Sequence, residues 1–290
     1  MNILKLRTTD TEFFTLSKSE FEQRTALKEP WYNHQADHER HFAVCPACNN
    51  STQILHLYNE TQTLHAKHNL GIAVGHQDRQ TLQYCPYYSG KSAMTENSRR
   101  ANEDAVSFEI KRLLIDNFDR VIYFINKTIG IRLSLRGQMA RLENYQNSRG
   151  WLYTGANLIN IPWIFLYQGR AGTLAGQGIT NETIRDVLVA WNNNITFDKY
   201  NRIVFPAGKY LDINISFFDH RQNIVNETLD ESIAMRITGN DGEVIHTERI
   251  TFDHDYFTRL INSGNHQFRK PEQVALAASI LEYPSGLRLI

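Results

Sequence analysis

The three cysteines of this chain, Cys45, Cys48 and Cys85, all fall within 41 consecutive residues of a 290-residue sequence. An odd count does not fit a closed disulfide framework, whereas Cys-Pro-Ala-Cys at 45–48 brings two thiols onto one tight turn, as a tetrahedral zinc site requires. Tyr-Cys-Pro-Tyr at 84–87 repeats the Cys-Pro step and predicts a second turn with backbone amides facing the sulfur. A fourth ligand is still needed, and imidazole is the common partner of thiolates in structural zinc sites. His56, His65, His68 and His76 lie between the two half-sites. His68 is the expected ligand, 20 residues after Cys48 and 17 before Cys85, in the turn-forming stretch His-Ala-Lys-His-Asn, with His65 as its competitor.

Two other uses of these cysteines compete with zinc. They could be small buried hydrophobes, or a redox Cys-x-x-Cys pair with a resolving third thiol. A redox pair belongs between a strand and a helix, but HFAVCPACNNSTQILHLY at 41–58 reads as strand, knuckle and second strand. Four protein ligands leave no open position for water, so the zinc ion (Zn2+) is expected to be structural and no residue is expected to be catalytic.

Lys plus Arg and Asp plus Glu both number 31. That balance excludes a uniformly basic nucleic-acid coat and an acidic disordered tail, and leaves charged partners to local patches. With 41% hydrophobic and 21% charged residues, the composition is that of a folded soluble protein. MNILKLRTTDTEFF lacks the apolar core of a secretory signal, and the most apolar stretch, INIPWIFLY at 159–167, is far too short to cross a bilayer. A cytoplasmic protein with no membrane partner is expected, with 159–167 buried.

Along the chain, a helix is expected from Ser17 or Ser19 to near Pro30. GKSAMTENSRRANEDA at 90–105 reads as a linker, with Thr95 or Asn97 as helix caps, and separates a region 1–95 carrying the knuckle (about 41–88) from a region 96–290. Val106, Ile110, Leu113, Leu114, Val121, Ile122 and Ile125 recur at helical spacing and predict one long amphipathic helix from about 103 to 128, ended by Gly130. A second helix is predicted from Ser134 to Asn147, ending at Gly150. The glycine-rich loop 169–178 matches neither a P-loop nor a dinucleotide fingerprint.

Beyond Asn193, ITFDKYNRIVF, KYLDINISFF, ESIAMRITG and EVIHTERITF carry strand texture, with a hairpin at Asn240-Asp241-Gly242 and a final helix over 271–282. The fold class read from this order is α+β. A small N-terminal zinc-knuckle module precedes a helical middle and a strand-rich, mainly antiparallel C-terminal part.

Between residues 111 and 149 eight basic side chains stand against three acidic ones. Lys111, Arg112, Arg120, Lys127, Arg132, Arg136, Arg141 and Arg149, followed by Trp151, Tyr153 and Arg170, are the residue types that contact phosphates and stack on bases. The grouping makes them the candidate nucleic-acid surface. Asp219-His220 and Asp253-His254-Asp255 offer a weaker metal-nuclease reading. On a strand Asp253 and Asp255 share a face that His254 cannot join. G-x-S-x-G and H-E-x-x-H are both absent.

The arrangement of Cys45, Cys48, a histidine and Cys85, then a basic helical middle and a strand-rich remainder, resembles the large-subunit-like proteins of type IV CRISPR effector complexes. The resemblance implies a non-catalytic subunit at the 5′ end of a crRNA that recognises the motif flanking a DNA target and helps open the duplex. Its expected partners are RNA, DNA and other protein subunits of a ribonucleoprotein. The competing class is a zinc-stabilised adaptor or regulator whose basic surface binds acidic protein. Phosphate-driven binding would fall steeply with salt, while a protein interface would depend on buried aromatic anchors.

Overall fold

The structure is a computed structural model and describes residues 1–35, 38–71, 74–91, 94–205, 211–264 and 269–281. It is a mixed α+β molecule with antiparallel sheets. The first sheet is a meander of Tyr32–Gln35, His38–Val44, Ser51–Leu55 and His65–His68, each strand paired with the next. The second places Thr228–Thr238 between Val244–Thr251 and Asn214–Val225, with Gly172–Thr173 beyond.

In the first sheet, Val44 pairs with Ser51, so the segment 45–50 is the turn between two strands. The stretch containing His68 is a strand rather than the expected turn, because Thr52 to Leu55 offers it a paired edge. The N-terminal helix runs over Lys18–Thr25 with Ser17 as its cap, and stops well before Pro30 because Ala26 takes a left-handed conformation.

The long helix expected over 103–128 is two helices, Ala105–Asp116 and Phe118–Ile129. Asn117 breaks it: its backbone leaves the helical region at φ −124 and ψ 23, and its side-chain amide donates to the Leu113 carbonyl. The apolar periodicity continues across the break because both helices bury their apolar faces in one core. Asp104, not Thr95 or Asn97, caps the first of them, in a reciprocal pair with Ser107. Gly130 does end the second, at φ 65. Leu135–Asn147 follows with Ser134 as cap, and the apolar 159–167 stretch forms the Ile161–Gln168 helix, every residue of which is buried.

In the second sheet, Asn226 and Glu227, both at positive φ, make the tight turn between the two long strands. A bulge at Asp219 and His220 shifts the inward phase of Asn214–Val225, so that Ile215 and Phe217 face in before it and His220 and Gln222 after it. ITFDKYNRIVF is a short hairpin, Thr196–Phe197 with Ile203–Val204, and not one strand. Asp253 and His254 are likewise not strand residues, since the strand ends at Thr251 and the His254–Asn262 helix begins with Asp253 as cap. The final helix is Pro271–Leu281; residue 282 lies outside the described residues.

One large core joins the helices to the second sheet. A smaller core gathers Leu4, Phe21, Ile54, Ala66 and the three cysteines, and takes in Ile159 and Leu229 from the rest of the chain. Among the described residues no helix is long and apolar enough to cross a membrane.

Candidate metal centre

Cys45 ends one side of the knuckle and Cys48 the other. The turn closes through Cys45 N–H to the Asn50 carbonyl (2.9 Å) and Asn49 N–H to the Cys45 carbonyl (2.9 Å), with Asn49 left-handed at φ 60. Asn50 then ties the turn to the second half-site. Its side-chain amide donates to Thr81 Oγ1 (2.8 Å) and stands 3.4 Å from Cys48 Sγ, and its carbonyl oxygen accepts from Asp78 N–H (2.8 Å). Asp78 caps the single helical turn Arg79–Leu82, from which Cys85 hangs through its N–H to the Leu82 carbonyl.

These elements place the ligand atoms of Cys45, Cys48, His68 and Cys85 within 4.8 Å of one another, the three cysteines fully buried. Cys45 Sγ and Cys85 Sγ are 3.7 Å apart, and His68 Nε2 lies 3.4 Å from Cys48 Sγ and 3.6 Å from Cys85 Sγ. With metal–sulfur bonds of about 2.3 Å and metal–nitrogen bonds of about 2.05 Å, a tetrahedron has S···S edges of about 3.8 Å and S···N edges of about 3.6 Å. The cluster is therefore compatible with a four-coordinate zinc site. The three cysteines are not joined by disulfides.

Burial pushes the Cys45 and Cys85 thiols well above the ordinary range. Burial opposes ionisation of Cys48 too, yet hydrogen bonds with Cys45, Cys85 and His68 draw it well below. Lys5 is buried behind the knuckle, pairing with Val44 through both backbone groups, and its ammonium donates to the Thr8 and Asp10 carbonyls. Burial lowers its pKa against the pull of Glu109, Cys45 and Cys48. Lys5 thus stands beside the candidate ligand set, within electrostatic reach of Cys45 and Cys48. Sequence reasoning passed over it, since nothing local distinguishes it from a surface lysine.

His65 stays outside the cluster, half-buried, with Nδ1 2.9 Å from the Thr63 carbonyl. His56 stands beside it, ring centroids 5.6 Å apart. His76 acts through its backbone, which pairs with Asn49 and Ser51. The knuckle is also fixed to the helical body, by Asn49 Nδ2 donating to Glu109 Oε2 (2.6 Å) and Leu158 N–H to the Ala47 carbonyl (3.3 Å).

The basic residues between 111 and 170 do not form one surface. Trp151 and Tyr153 are 4% and 1% exposed, and Trp151 Nε1 donates to Glu103 while Tyr153 Oη meets His220 Nδ1 at 3.0 Å. Their rings are core, with no face free for a base, so the expected stacking role does not fit their positions. Arg141 is buried as well, donating to the Arg170 carbonyl, and burial lowers its guanidinium to about 10. Arg120 is spent on the Ile261 and Ser263 carbonyls. Lys111 lies over Trp151, and Lys127 over Tyr256. Arg112 is exposed between Glu109 and Asp116. Arg132, Arg136, Arg149 and Arg170 are exposed.

One exposed aromatic does carry basic neighbours. Tyr200, at the tip of the 196–204 hairpin, is 51% exposed, with Lys199 and Arg202 about its ring at 5.1 and 5.0 Å. Arg132 donates to the Tyr200 carbonyl (2.9 Å) and Arg185 to Asn201 Oδ1 (3.3 Å). Lys-Tyr-Asn-Arg at 199–202 was the available signal, hidden by reading the segment as a strand.

Among the described residues the Cys45, Cys48, His68 and Cys85 set is the metal-ligating group whose donor atoms all lie close to one another. Asp219 is held by Arg221 and Arg249, and Asp253 caps a helix. Asp219 and Asp253 are thus engaged structurally, while Asp255 is exposed. No family model, curated protein or solved structure matches this chain.

Proposed function

We propose that the chain is a structural-zinc protein that acts by binding and not by catalysis, with zinc on Cys45, Cys48, His68 and Cys85. Three separations of 3.7, 3.4 and 3.6 Å, close to tetrahedral edges within a set spanning 4.8 Å, carry this reading. The ion would tie the 78–88 segment to the first sheet, whose own pairing already sets the His65–His68 strand beside the 45–50 turn. Four protein ligands leave it no open coordination position, so its contribution is folding free energy.

The partner we infer is nucleic acid, bound within a ribonucleoprotein in the cytoplasm. The exposed Tyr200 ring with Lys199 and the Asp198-paired Arg202 against it supports that reading, because an aromatic face beside cations suits a single strand. The likeness of layout to the large-subunit-like proteins of type IV CRISPR complexes gives the proposal its form, a subunit beside a guide RNA and its DNA target.

The test is a tagged purification from the native host, with the eluate assayed for zinc, RNA and co-eluting proteins. Zinc near one per chain with a discrete short RNA is the expected result. Zinc with protein partners and no RNA would replace nucleic acid by the adaptor reading, and metal-free folded protein would remove the zinc.

A further inference from the structure

Glu231 is fully buried in the second sheet and holds four hydrogen bonds. His220 Nε2 (2.7 Å), Asn160 Nδ2 (2.7 Å) and Gln222 Nε2 (2.6 Å) converge on Oε1, and His254 Nε2 lies 2.8 Å from Oε2. The bulge at Asp219 makes this possible by turning His220 inward. A carboxylate held this way fixes the orientation of both imidazoles. For His220 the arrangement is closed, since its other nitrogen meets Tyr153 Oη.

His254 Nε2 faces Glu231 Oε2, and where Nε2 carries the proton of a neutral ring, Nδ1 is left as an acceptor. His254 is 8% exposed and lines a cleft of about 390 Å³ between the N-terminal segment and the end of the second sheet. Tyr87 lines the same cleft, and its hydroxyl is buried with no partner. The buried, unpartnered Tyr87 hydroxyl thus shares one cleft with the imidazole of His254, although buried polar groups normally find partners. The volume is in the range of small-molecule sites.

The chemistry of the walls selects the ligand. Ile3, Leu229 and Phe252 supply apolar surface, Asp253 and Asp255 supply carboxylates, and no Lys or Arg lines the cleft. Phosphate and carboxylate ligands are disfavoured there. We propose that this cleft binds a small organic cation, a primary ammonium on an apolar body. Its N–H groups would meet His254 Nδ1, Tyr87 Oη and the Asp255 carboxylate, and its body would lie along Phe252. The inference depends on neither the zinc nor the nucleic-acid reading.

The experiment is calorimetric titration of the full chain with tyramine, 4-ethylphenol and 4-hydroxyphenylacetate, three ligands of similar shape carrying positive, zero and negative charge. Saturable binding of tyramine, at least about tenfold tighter than either analogue, is the expected result. Asp255→Asn and Tyr87→Phe should each weaken it about fivefold or more. Both variants keep side-chain volume, and unchanged melting temperatures separate lost binding from lost fold. No saturation by about 10 mM tyramine, equal affinity for 4-ethylphenol, or wild-type affinity in both variants would overturn the proposal.

Discussion

Thr52 is the register partner of His68 in the first sheet, and this pairing carries the imidazole to the knuckle that ends at Cys48. His65, three residues earlier on the same strand, faces the opposite side, because successive strand side chains alternate. The strand therefore decides between two histidines that spacing in the sequence left as competitors.

His68→Ala should abolish binding of one metal ion per chain, and His65→Ala should leave it intact. The measurement is metal content by mass spectrometry on purified variants. Cys48→Ala should behave as His68→Ala does. Equal metal content in all three would remove the ligand set proposed above.

Chelation of the metal should destabilise the fold by about 3 kcal/mol or more, since a closed site contributes its binding free energy to folding. Thermal melts with and without a strong chelator would show it as a lower Tm restored by added zinc. An unchanged Tm would mean that packing alone holds the small core around Leu4, Phe21 and Ile54.

The Glu231 carboxyl is held at about 2 against an ordinary value of 4.5: burial opposes its ionisation, but hydrogen bonds and charge from His220 and His254 outweigh it. A carboxylate depressed on folding contributes stability that is complete above its unfolded pKa and lost as pH falls toward the folded one. The contribution should therefore be intact above about pH 4.5 and disappear between there and about pH 2, on the order of 3 kcal/mol in all. Denaturation against pH should show this excess loss in the wild type and not in Glu231→Gln. Parallel profiles for the two would count against the network.

Gly130→Ala should destabilise the protein by about 1–3 kcal/mol. Gly130 is left-handed at φ 65, and a Cβ there would lie 2.6 Å from that of Asn181, while its carbonyl accepts the Thr180 and Asn181 amides. Urea unfolding measures it, and a wild-type midpoint would contradict the strain.

Tyr200→Ala and Trp151→Ala should separate cleanly. The exposed Tyr200 should cost less than about 0.5 kcal/mol of stability and weaken binding of a single-stranded oligonucleotide. The buried Trp151 should cost about 3–5 kcal/mol. Fluorescence anisotropy and thermal melts read the two effects, and unaltered oligonucleotide affinity in Tyr200→Ala would remove the stacking surface.

The cysteine half-sites were legible because a Cys-x-x-Cys turn is a local arrangement. So were the caps at Ser17 and Ser134, the stop at Gly130 and the apolar faces of the 105–129 helices. Composition and order were enough for an α+β chain with antiparallel strands. The basic grouping misled because a charge count records neither burial nor partners, and Arg141, Trp151 and Tyr153 turned into the core.

By itself, then, the sequence determined what depends on neighbours along the chain: where helices start and stop, which turns hold thiols, and that three sulfurs and an imidazole are the candidate ligands. Tertiary structure decided which imidazole, where the long apolar run breaks, and that His220, Glu231 and His254 meet. These depend on strand register, on the bulge at Asp219 and on packing between residues distant in the chain, and a one-residue shift in any strand would reverse which side chains face inward.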